Sequence, residues 1–150
     1  MPAKAIINKF DLFKDVPEET LIKIEKLGTE ETYAKGDLIF KEGEDANCLH
    51  FLINGSVSLL VKLTSRPESI TVSVVKNAYE SFGWSGIVPP YHYTATAKCT
   101  EDARVMVIPG DKLMDILFQD PKSGFIVMQR ITQIIASRLR NSRQALLKTL

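Results

Sequence analysis

Ser81-Phe82-Gly83-Trp84-Ser85-Gly86-Ile87-Val88-Pro89-Pro90-Tyr91-His92-Tyr93-Thr94-Ala95-Thr96-Ala97 has the layout of a loop that cradles a phosphate, yet it lacks the charged side chains such a loop usually carries. Gly83 and Gly86 bracket what reads as one short helical turn, whose unpaired backbone amides would face an anion. Pro89-Pro90 stops that turn and sends the chain into a strand rich in Thr and Ala. The expectation is a binding module with altered ligand chemistry.

Outward from this stretch the chain reads as a β-rich centre between helical ends. Short β-prone runs at 38–40, 48–53, 56–63, 69–75, 93–99 and 103–108 are separated by turn signals, and Asn54-Gly55 is the strongest hairpin signal among them. Upstream, Pro17 with Glu18 and Glu19 opens a helix whose apolar face is Leu21, Ile24 and Leu27, closed by Gly28. Downstream, Asp111 is placed to cap a helix through Phe118, and Asp120-Pro121 opens a long one. The fold class is mainly β with flanking α. It reads as an antiparallel jelly-roll barrel over about 30–108 followed by helices over about 111–150, all in a single domain.

The order of these motifs resembles the cyclic-nucleotide-binding domain of the catabolite-activator and cyclic-nucleotide-regulated kinase and channel families. The likeness is carried by Gly36-Asp37 before an apolar strand, Lys41-Glu42-Gly43-Glu44 in a turn, Leu49 to Gly55, the cradle itself, and Ile108-Pro109. It implies a phosphate-binding cassette built on Gly83, Trp84, Ser85, Gly86, His92, Tyr93, Thr94 and Ala95, with Ser142 and Arg143 on the long helix reaching the base of the ligand. The cassette is degenerate. Where the family has a glutamate that accepts the ribose hydroxyl stands Trp84, and an indole cannot accept a hydrogen bond. Where the family has an arginine stands Tyr93, a neutral donor in place of a charged fork. His92 is the nearest alternative cation, and strand alternation directs it away from Tyr93. Trp84 either stacks on a ligand or fills the space that ligand and glutamate would occupy.

Composition bounds the remaining classes. A chain of 150 residues with 45% hydrophobic content is large enough for one ordinary core. It holds no apolar run long enough to span a bilayer and begins with no signal-type stretch, so a cytoplasmic protein is expected. Cys48 and Cys99 have no metal-type spacing and read as reduced core cysteines. The net charge of +1 hides an asymmetry, because residues 121–150 carry Lys122, Arg130, Arg138, Arg140, Arg143 and Lys148 and no acid. That is either an acidic-partner surface or a solvated helix whose cations suit its dipole.

Along the long helix Phe125, Met128, Thr132, Ile135, Leu139, Ser142 and Leu146 recur at alternating steps of three and four. A second line, Val127-Ile131-Ile134, runs beside the first half. The helix is therefore expected to dock on its own barrel near its start and to form a homodimer seam further along. With only His50 and His92 no metal triad is available, and no nucleophile elbow appears, so no catalytic or metal-binding residues are assigned and an enzyme is not expected. No recognition helix follows the long helix within the sequence, so direct DNA binding and membrane insertion are not expected. The reading is a sensory or regulatory module without a required cofactor, binding a cyclic nucleotide or another small anion, and passing the change to a protein partner. The competing reading is a dimeric scaffold that holds no ligand.

Overall fold

Two four-stranded sheets flanked by helices at both ends of the chain make up the computed structural model, which describes residues 7–148. A 3-10 turn (Ile7–Lys9) and helix α1 (Glu18–Glu25) lead into β1 (Thr29–Tyr33), β2 (Leu38–Phe40), β3 (Cys48–Asn54), β4 (Val57–Lys62), β5 (Ser69–Val75) and β6 (Ser81–Phe82). A second 3-10 turn (Trp84–Gly86) then precedes β7 (Thr96–Cys99), β8 (Ala103–Pro109), α2 (Gly110–Gln119) and α3 (Pro121–Leu147). One sheet has the order β1-β8-β3-β6 and the other β2-β7-β4-β5, with every pairing antiparallel. The sheets pack as a jelly-roll-like sandwich and are not closed into a barrel by continuous pairing.

Strand β3 is buried on both faces, which explains its nearly unbroken apolar run. His50 and Leu52 face the sandwich interior with Phe40, Phe82 and Val105, while Leu49 and Phe51 face a second core on the outer side of that sheet. The second core is built from Phe10, Phe13, Ile24, Leu113, Val127 and Ile131, and it joins the N-terminal segment to α2 and α3. Phe10 stacks on Phe51 with ring centres 4.5 Å apart. Burying each such ring contributes about 1.5–3 kcal/mol.

Several elements differ from the sequence expectation. β1 is polar because it lies at the edge of its sheet, where Glu30 and Glu31 are exposed and no alternation marks it. β6 is too short to show a period. The strand expected over 93–99 begins only at Thr96, since Tyr91 takes a positive φ and His92 forms only an isolated bridge to Asp45. Asn54-Gly55 does turn the chain, but β3 and β4 belong to different sheets, so the turn is a corner and not a hairpin. Gly55 sits at φ 105°, and a Cβ there would fall 2.4 Å from the Asp102 carbonyl oxygen.

The helix starts are sharper for α3 than for α2. Asp120 accepts from the Ser123 amide at 3.4 Å and hydroxyl at 2.5 Å, and from the Thr20 hydroxyl of α1 at 2.7 Å. The expected cap at Asp111 is not formed; Pro109 holds that position because β8 runs straight into α2, and Asp111 lies in the first turn. Helix α3 buries Ser123, Val127, Ile131 and Arg138 along one face. Of the expected seam, Phe125 and Leu139 are 69% and 64% exposed and Thr132 is exposed, whereas Met128 and Ile135 pack against the chain's own core.

Candidate functional site

The turn Trp84–Gly86 follows β6 through Gly83, whose φ of 73° swings the chain into the 3-10 conformation. Its amides are partly consumed by the turn itself, with Gly86 N–H donating to the Gly83 carbonyl at 3.2 Å and Ile87 N–H to the Trp84 carbonyl at 2.9 Å. The close approaches expected at the two glycines are made to the chain's own atoms. A Cβ on Gly86 would lie 2.2 Å from the Cys48 carbonyl oxygen, and one on Gly83 2.7 Å from the His50 imidazole. His50 is buried with its Nδ1 unpartnered, and that burial pushes its pKa down to about 4.

Tyr93 turns inward. Its ring stacks on Phe40 at 3.8 Å with planes 8° apart, its hydroxyl reaches the Cys48 carbonyl only at 3.5 Å, and burial pushes the phenol up to about 12. What remains between Phe40, Gly83, Ser85, Tyr93 and Thr94 is a gap of about 20 Å³. That volume holds about one water molecule and not a phosphate.

A larger cavity of about 270 Å³ adjoins it, lined by Val61 and Val72 of the β4–β5 sheet, by Trp84 and Thr94, and by Ile135, Arg138, Leu139 and Ser142 of α3. Arg138 is 8% exposed. Its guanidinium lies 5.5 Å from the centre of the Trp84 ring, its Nη2 donates to the Ser81 carbonyl at 2.9 Å, and among the described residues its Nη1 has no acceptor. Desolvation lowers its pKa, partly opposed by the negative charges of Glu80 and Asp11. Ser81 is itself held by Asp11, which accepts from its amide at 2.9 Å and its hydroxyl at 3.1 Å. Burial raises the Asp11 carboxyl above the usual range.

Of the residues singled out from the sequence, Trp84, Thr94, Ala95 and Ser142 line the larger cavity together, and Gly83, Ser85 and Tyr93 line the small gap beside it. Gly86 lies behind the turn against Cys48. His92 is exposed and pairs with Asp45 at 3.1 Å, and Arg143 is exposed on the helix; neither lines either space. Arg138 was not singled out, although its signal was present. The apolar line Val127-Ile131-Ile134 continues by a step of four to Arg138, which marks an inward-facing cation. Both cysteines are free thiols, and among the described residues no three His, Cys, Asp or Glu side chains converge to hold a metal. Among the same residues no helix is long and apolar enough to cross a membrane.

Comparison with known proteins agrees with this architecture. A solved structure from Geobacter metallireducens, described as a cyclic nucleotide-binding protein, is 29% identical, with 93% of this chain and 99% of that one covered and a TM-score of 0.78. A cyclic nucleotide-binding domain from Methylobacillus flagellatus is 21% identical and shares the fold, with a TM-score of 0.79 over 99% of this chain and 82% of that one. A protein of Rhodopseudomonas palustris described as a potassium channel is 21% identical over 89% of this chain, which spans only 31% of that protein's length. The model of the cyclic nucleotide-binding domain matches residues 30–120, from the first strand to the cap of α3. With the sandwich, the turn after β6 and the helices beyond β8 all in the matching order, the chain belongs to the cyclic nucleotide-binding domain family.

Proposed function

We propose that this domain is a regulatory module binding a small anionic ligand in the cavity between the β4–β5 sheet and α3, with its affinity for cyclic AMP much reduced. The observation that carries the reading is the cavity itself, because its walls come from the turn at Trp84 and from α3 at Ile135, Arg138 and Ser142. A molecule there touches both, so binding biases how α3 packs, and the helix position is what a partner reads. The reduced cyclic AMP affinity follows from Trp84 and Tyr93, which offer neither a ribose acceptor nor a charged fork, and from the filled space beside the turn.

The partner reading rests on α3. Phe125, Thr132 and Leu139 are exposed at heptad spacing, a self-complementary stripe that suits a twofold pairing of two copies. The free thiols Cys48 and Cys99 fit a reducing, cytoplasmic setting. A second reading, a dimeric scaffold that holds no ligand, is favoured by one observation, the Tyr93 ring packed on Phe40 where the family's phosphate would sit.

A thermal-shift panel of cyclic mononucleotides, cyclic dinucleotides and small organic anions separates the two. A ligand at about one hundred times its dissociation constant adds about 2.7 kcal/mol of stability. A clear rise with any of these anions supports the module. No rise across the panel, with a dimer still formed, leaves the scaffold.

A further inference from the structure

Resting on the reading that the cavity under α3 is the ligand site, we propose that the ligand's negative group is received by Arg138, so that charge recognition sits on the helix and not on the strand end at Tyr93. The ligand class is a small organic monoanion with a flat apolar body.

The guanidinium is the basis. It is almost wholly buried; Nη2 donates to the Ser81 carbonyl and, among the described residues, Nη1 has no hydrogen-bond acceptor, although the charges of Glu80 and Asp11 act on it. Arginine carries five donors in a planar fork and cannot shed its charge, so a buried fork with an unmet donor is costly until an acceptor arrives. The Trp84 ring lies beside the fork, its centre 5.5 Å from Cζ, within cation–π range. Among the described residues lining the cavity Arg138 is the only charged one, which suits a ligand with a single negative charge. The other walls are apolar at Leu59, Val61 and Val72, with hydroxyls at Ser73, Thr94 and Ser142 along the edges. Such a lining takes an apolar body with few polar substituents. The alternative cations, His92 and Arg143, do not line the space. An anion received by the fork bears on the same guanidinium that holds the Ser81 carbonyl, which ties occupancy to the seat of α3 on β6.

Phenyl phosphate and benzoate are the probes, with benzyl alcohol as the neutral control, each titrated into the parent, Arg138→Gln and the cavity-blocking Ala95→Trp while thermal stability is followed. The expected result is stabilisation of the parent by at least one anion and not by the alcohol, at least about tenfold weaker binding to Arg138→Gln, and loss of binding in Ala95→Trp. Which anion acts distinguishes a phosphoester from a carboxylate. Loss in Ala95→Trp with unchanged binding to Arg138→Gln overturns the role of Arg138 and leaves the cavity reading standing. Unchanged binding to both variants places the probe elsewhere and overturns both. No binding of either anion to the parent at millimolar concentration also overturns the proposal. Guanidinium nitrogen resonances of the parent give a check that does not depend on a variant's folding: the anion should shift the Arg138 signal most, and an unmoved Arg138 signal with bound probe contradicts the proposal.

Discussion

The guanidinium of Arg138 on α3 lies 5.5 Å from the centre of the Trp84 ring on the turn after β6, so the chain's sole tryptophan and a buried helix cation form one unit. The unit joins the turn after β6 to α3, the two walls that meet at the cavity.

Replacing the indole tests how far that unit supports the fold. Trp84 packs against the second core as well as against Arg138. Trp84→Ala should cost about 2–4 kcal/mol in urea unfolding through lost packing and a lost cation–π contact. Trp84→Phe keeps a ring face and should lose about half as much. Equal losses for the two would show that the ring face does not matter.

Gly86 is where three backbone segments meet. A Cβ there would stand 2.2 Å from the Cys48 carbonyl oxygen, and one on Gly110 would stand 2.0 Å from the Gly86 carbonyl. Gly86→Ala should therefore destabilise by about 3 kcal/mol or more, since backbone cannot yield as a flexible side chain does. A melting temperature within a degree or two of the parent would contradict this packing.

The sandwich interior predicts an acid limb in the stability profile. The unfolded chain protonates His50 near its ordinary value of 6.5, whereas the folded chain holds it neutral down to about 4. The unfolded state binds the extra proton in that window, so stability is full above about pH 6.5 and falls as pH drops toward 4, by about 3 kcal/mol in all. Asp11 acts with the opposite sign, because its raised carboxyl takes up a proton early in the folded state. His50→Leu should flatten the fall between pH 6.5 and 4 in urea titrations; an unchanged slope would assign the acid limb to other groups.

Much of this architecture is legible in the sequence. The apolar runs of β3, β4, β5 and β8 and the Asp120-Pro121 start of α3 announce themselves through period, burial and cap chemistry. β1 was hidden because an edge strand with exposed glutamates has no buried face to alternate. The Asn54-Gly55 corner shows that a turn signal reports local backbone and not which strand lies beside which. At the site the turn and its two unusual residues, Trp84 and Tyr93, were readable as departures. The inward stacking of Tyr93 on Phe40 and the burial of Arg138 were not, because both depend on contacts between residues far apart in the chain.

The exposed face of α3 carries the dimer proposal. Leu139 is 64% exposed, so a charge there leaves the chain's own cores intact but would stand beside its symmetry copy in a twofold pair. Leu139→Glu should run as a monomer in light scattering at concentrations where the parent is a dimer, with unchanged β-type circular dichroism. A parent that is already monomeric contradicts the seam.

The central claim, that this cassette has turned away from cyclic AMP, is tested most directly by calorimetric titration of cyclic AMP into the purified chain. The missing fork at Tyr93 and the missing ribose acceptor at Trp84 should each cost about 1–3 kcal/mol, and together they place the dissociation constant well above the micromolar range. A micromolar or tighter constant would contradict the account.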